Sequence, residues 1–179
     1  MKRRMLLVGS LALSGAVSVH MQDKPSGAAS GMKETAMPCE EEHALIGKWR
    51  VVEFGDLDKD GKWAYRFGEH PAGYFVYDRT GHVHIQIMKV PPLPRFPEAN
   101  VGDGKPPTAE HALAAYNAYV AYFGTYTVDS EKHIVTHHVE GSLAPDFTDT
   151  DQPRPFRLTG DRLEIGDGKT WRRVLQRVR

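Results

Sequence analysis

Histidine and tyrosine are the side chains here whose types and spacing could do chemistry. Thr136-His137-His138-Val139-Glu140 sets two imidazoles side by side with a carboxylate two residues beyond the second. Residues two apart in a strand share a face, so His138 and Glu140 could form a hydrogen-bonded pair. A histidine titrates near neutral pH, and His137 or His138 with Glu140 would suit acid–base work in an isomerase, cyclase or hydrolase. No nucleophile elbow or other motif specifies a reaction. His82-x-His84 is a second pair, two imidazoles on one strand face, which suits zinc, copper or a haem. A third ligand would have to come from His137 or His138, and only one of those neighbours can face inward. The third set is dispersed: Tyr74, Tyr77, His84, Gln86, Tyr126, His137 and Arg157 stand among apolar residues, the mixture that lines a small-molecule site.

The elements that must position these groups are strands. Phe123 to Glu140 reads as a β-hairpin, dense in β-branched and aromatic residues, turning at Asp129-Ser130-Glu131-Lys132. With Val128 opposite His133, alternation puts Tyr126, Val135 and His137 on one face. Phe123, Thr125, Ile134, Thr136, His138 and Glu140 take the other. Neither face is cleanly apolar, as expected of a wall around a cavity or of a hydrated outer face. Gly73–Tyr77 and His82–Met88 form a second hairpin through Asp78-Arg79-Thr80-Gly81. In its second arm Val83, Ile85 and Ile87 point one way, and His82, His84, Gln86 and Met88 the other.

Order is expected to begin at Leu45, with a buried first strand to Phe54 and a possible second at Lys62–Phe67. Between them Asp56-x-Asp58-x-Asp60-Gly61 has the look of a calcium loop. Phe67 stands where the bidentate glutamate belongs, so an acidic hairpin turn is the better reading. Val90 to Thr108 carries six prolines and must be a long irregular loop, with Phe96 a candidate lid residue. Thr108 can cap a helix over 109–122, whose stripe Ala112, Tyr116, Tyr119, Phe123, with Leu113 and Val120 beside it, should pack on the sheet. A loop over Gly141–Pro153 and three short strands (154–158, 162–165, 170–178) complete the chain. Eight to nine short strands, one helix and no βαβ alternation predict an all-β fold, a single antiparallel barrel.

Bulk properties narrow the function. Lys+Arg and Asp+Glu both number 23 in 179 residues, and no basic stripe or Gly-rich phosphate loop is present, so nucleic acid is not an expected partner. Residues 1–19 read as a signal peptide: Lys2, Arg3 and Arg4, an apolar run, then small residues, with cleavage near Ala16 or Ser18. That leader implies a periplasmic or secreted protein, with no membrane insertion of the mature chain. Residues 20–43 have no apolar period and read as a flexible linker, leaving 44–179 as one domain. Cys39 is the only cysteine, so no internal disulfide supports the fold, and it lies too far beyond the apolar run for lipidation. No motif asks for a cofactor, and the oligomeric state is not legible.

Several segments together resemble a known family. Gly47-Lys48-Trp49 is similar to the Gly-x-Trp signature of lipocalins, and Arg172, Arg173 or Arg177 could lay a guanidinium over Trp49 as in those barrels. Leu45–Arg50, Gly73–Tyr77, Gln86–Met88, Ala121–Val128, Thr136–Ser142 and an Asp151-Gln152 pair followed by an arginine resemble the lipocalin-like domain family of bacteria and fungi. The resemblance implies a calycin-type β-barrel over Leu45–Val178 whose lumen binds a small apolar or amphipathic molecule. At His84 the chain departs from the family, so the resemblance lends that residue no role.

Overall fold

The computed structural model describes residues 40–100 and 102–179. The expected leader, most of the linker and Cys39 lie outside the described residues. Helix α1 (Glu40–Leu45) opens the described chain, so order starts five residues before Leu45, inside the segment read as linker. Nine strands follow: β1 (Gly47–Leu57), β2 (Trp63–Ala64), β3 (Ala72–Tyr77), β4 (His82–Met88), β5 (Tyr119–Asp129), β6 (Ile134–Ser142), β7 (Thr150–Thr159), β8 (Arg162–Gly166) and β9 (Trp171–Arg177). Helix α2 (Ala109–Asn117) lies between β4 and β5, and a 3-10 turn (Pro145–Phe147) between β6 and β7.

All pairings are antiparallel, and β1 pairs with β3 on one side and β9 on the other. Eight strands therefore close on themselves, with β2 appended to the end of β1 through Asp56–Ala64 and Leu57–Trp63. Closure removes the unpaired edges that a meander of short strands would otherwise expose. Alternation drives it: along β4 every second residue is buried, with Val83, Ile85 and Ile87 inside. Trp49, Val51, Phe75, Tyr77, Val135, Val139, Leu163 and Ile165 fill the same interior from the other strands.

Where β1 begins, the barrel is closed by Trp49. Its indole N–H donates to the Leu45 carbonyl (2.8 Å), and the Arg177 guanidinium lies 4.1 Å over its ring while donating to the Ile46 carbonyl. Arginine supplies both a flat face for the indole and forked N–H groups for the carbonyls at the α1–β1 junction. The other two candidate arginines stack elsewhere, Arg172 over Trp63 and Arg173 over Phe54.

Four sequence expectations need correction. In the β5–β6 hairpin Val128 pairs with Val135 and Tyr126 with His137, two residues from the expected register. The reason is His133, which adopts a left-handed conformation (φ 52) and so belongs to the turn. The assignment of residues to faces survives, because a shift of two preserves parity. Helix α2 ends at Asn117, and Tyr119–Tyr122, read as its last turn, already run in β5. None of its residues is buried, and Leu113 is 60% exposed, so it does not pack on the sheet as a stripe. Finally, β7 starts at Thr150, inside the expected loop, and contains two prolines. The Phe156 N–H donates toward β6, to the His133 carbonyl (2.9 Å). By alternation the nitrogens of Pro153 and Pro155 face away from β6, where pairing with β8 starts only at Phe156–Ile165. No ladder bond is lost there.

Candidate functional site

The interior is filled near Trp49 and hollow toward the other end. A cavity of about 390 Å³ opens there, walled by Phe54, Phe75, Ile85, Ile87, Phe147 and Ile165. Arg66 and Tyr116, both exposed, stand at its rim, and Tyr119 to Tyr122 contribute from the start of β5. Its other polar wall groups are Ser142, Gln152, Arg154 and Arg173. The size falls in the range of small-molecule sites, and apolar walls with a few placed polar groups are their usual composition.

Behind Tyr122 sits a buried polar stack. His137, fully buried on β6, is bracketed by two phenols: Tyr77 Oη lies 2.9 Å from Nε2 and Tyr122 Oη 2.9 Å from Nδ1. A neutral imidazole carries one N–H and one lone pair, so one phenol donates to the ring and the other accepts from it. Burial, reinforced by the positive charges of Arg154 and His138, holds the His137 pKa well below its usual value. Burial raises the Tyr77 pKa, with Tyr122 adding to it, and pushes Tyr122 up to about 12 despite the opposing pull of Arg154. At neutral pH the stack is uncharged. Tyr126 meets Tyr77 edge to face at 5.0 Å and donates to the Asp78 carbonyl (3.1 Å).

Of the seven expected lumen residues, Tyr77, Tyr126 and His137 face inward. The other four do not line the lumen. Tyr74 lies on the outside beneath the Lys48 ammonium (4.0 Å), and His84 and Gln86 occupy the exposed parity of β4. Arg157 faces outward and reaches Glu164 (3.2 Å). On β4 the alternation is legible in the sequence, but the polar parity expected at the lumen turns outward, because the apolar parity of a barrel strand faces in. Phe96 is not a cavity residue either: it stacks on His111 of α2, ring centres 4.4 Å apart. With the His111–Glu98 contact and the Thr108 cap, it ties the proline-rich loop to that helix.

The expected His138–Glu140 pair is replaced by another. On the outer face His138 Nδ1 lies 2.7 Å from Asp151 on β7, and Nε2 lies 3.0 Å from the Thr127 hydroxyl. His82 turns to Thr80 Oγ1 (2.7 Å) and Asp78 within its own hairpin turn. Among the described residues no group of three His, Cys, Asp or Glu side chains is placed to hold a metal ion. In the calcium-like segment Asp58 Oδ1 accepts from the backbone N–H groups of Asp60 and Lys62 (2.9 and 2.8 Å), an Asx turn.

Sequence reasoning missed Arg154, Tyr122 and Arg173 as cavity groups. A signal for the first did exist. Phe156 and Leu158 are apolar at one parity of β7, which puts Arg154 inward with them and Arg157 outward.

A closed eight-stranded antiparallel barrel with a partly apolar cavity at one end defines a lipocalin-like architecture. The chain belongs to the lipocalin-like domain family, whose signature matches residues 46–175. No curated protein is significantly similar to it. Membership brings with it small-molecule binding as the family's architectural role, and no helix among the described residues is long and apolar enough to cross a membrane.

Proposed function

We propose that the protein is an exported binding protein that holds a small, largely apolar molecule in the barrel cavity. The observation that carries this reading is the cavity itself: about 390 Å³, walled by aromatic and aliphatic side chains where a purely structural barrel would be filled. At roughly 30 Å³ for a water-sized group, it takes on the order of ten to thirteen non-hydrogen atoms, and a longer molecule would extend past the rim. Tyr77 and His137 support the wall through Tyr122 and do not themselves reach the ligand. Export is read from the leader at residues 1–19, which belongs to periplasmic or secreted proteins.

Native mass spectrometry of the protein, purified from its producing cell without detergent, tests the reading. The expected spectrum contains a satellite peak displaced by the mass of a retained amphiphile, lost on organic extraction. A single apo mass, together with no thermal shift from any apolar probe of suitable size, would count against it.

A further inference from the structure

The cavity carries a charge that the protein does not neutralise. Arg154 Nε is buried and has no hydrogen-bond partner. Its guanidinium lies 6.0 Å from the Phe147 ring and 5.8 Å from the Trp171 ring and hydrogen-bonds the Tyr122 hydroxyl, and no carboxylate among the described residues pairs with it. The second arginine of the wall, Arg173, is compensated: it binds Asp56 at 2.7 Å and the Gly55 carbonyl at 2.7 Å. Even so its pKa is lowered, first by burial and also by the nearby charge of Arg154. With Arg66 at the rim, three guanidiniums and no carboxylate border the cavity among the described residues. A half-buried charge with no counter-ion is costly, and arginine cannot escape the cost by losing its proton.

We propose that Arg154 anchors the carboxylate of an amphipathic ligand whose apolar chain fills the rest of the cavity; this rests on the small-molecule reading above. The forked guanidinium matches a carboxylate with two parallel N–H···O bonds. Arg66 is exposed at the rim and screened by solvent, so among the described residues the one unpaired guanidinium within the cavity is Arg154, which balances a monoanion rather than a doubly charged phosphate. Other polar wall groups are already engaged: the Ser142 hydroxyl accepts from Ala144 N–H, and the Gln152 amide donates to Thr150. Of the three phenols along the cavity, Tyr116, Tyr119 and Tyr122, it is Tyr122 that hydrogen-bonds the Arg154 side chain. When His137 Nδ1–H donates to the Tyr122 oxygen, the phenol proton is free to point at the bound anion beside Arg154.

Calorimetric titration of the delipidated protein at neutral pH with decanoate and with methyl decanoate separates the possibilities. These two probes share one chain and differ in charge at one end. Decanoate is expected to bind about tenfold tighter or more, as a charge-assisted pair contributes over a neutral ester. Arg154→Met should lose that advantage for decanoate and leave the ester unchanged, while Arg154→Lys retains part of it. In nitrogen-15 spectra the Arg154 Nε–H resonance should move with decanoate and not with the ester. Equal affinity of the wild type for both probes overturns the anchor and leaves cavity binding intact, and that comparison needs no variant to fold. Undiminished decanoate binding by Arg154→Met overturns it too. Failure of both probes to bind the wild type overturns the cavity reading itself.

Discussion

At the scale of single residues, the His137 stack joins burial to pH. An imidazole kept neutral inside takes up a proton in the unfolded chain near pH 6.5 but not in the folded one until much lower pH. Between those values the unfolded state binds more protons, so stability rises with pH and falls on acidification below 6.5. Its slope there reaches about 1.4 kcal/mol per pH unit. Urea unfolding from pH 7 down to about pH 5, above the range where carboxylates titrate, should show this decline. His137→Phe should remove most of it. That variant also strands the Tyr77 and Tyr122 hydroxyls, so at pH 7 it should be less stable by about 2–4 kcal/mol. A variant with the wild-type acid slope would show that His137 is not the group responsible.

At the scale of elements, two substitutions separate packed from unpacked parts. Gly124 lies at the irregularity where β5 crosses β6, and a methyl group there would meet the His138 carbonyl oxygen at 1.9 Å. Because the obstacle is backbone, Gly124→Ala should cost about 2 kcal/mol or more, seen as a lower denaturation midpoint. Next to it Phe123 covers Gly141 from outside, which accounts for an exposed aromatic on that strand. Leu113→Ala in α2 should change stability by less than about 0.5 kcal/mol, because the helix buries nothing there. A large loss at Leu113 would mean that the helix packs more tightly than its exposure indicates.

For the whole molecule, the leader and the domain are separate matters. If the chain is exported, the intact mass of protein recovered from the periplasm or medium should correspond to cleavage after Ala16 or Ser18, with Lys2, Arg3 and Arg4 gone. A full-length mass would argue for retention of the segment as an anchor. Loss of those three cations leaves the mature chain acidic by about three charges at neutral pH, without changing the positive cavity wall. The sign of the binding site is therefore independent of the sign of the molecule.

Much of the barrel was legible one strand at a time, because alternation is a local property. The pattern Val83, Ile85, Ile87 defines β4 and its inner face without any other strand, and Gly47-Lys48-Trp49 marks where the first long strand begins. Face membership of Tyr126, Val135 and His137 followed from the same rule, even with the hairpin register off by two. Closure, cavity and partners were not legible, because they depend on strands far apart in the chain. Whether Arg154 meets a carboxylate is decided by where Asp56 lies relative to Arg173, on β1 and β9. Likewise His137 finds Tyr77 and Tyr122 only once β3, β5 and β6 curve around one axis. Strand parity is set by the backbone of each segment, whereas pairing inside a barrel is set by the closure of all eight.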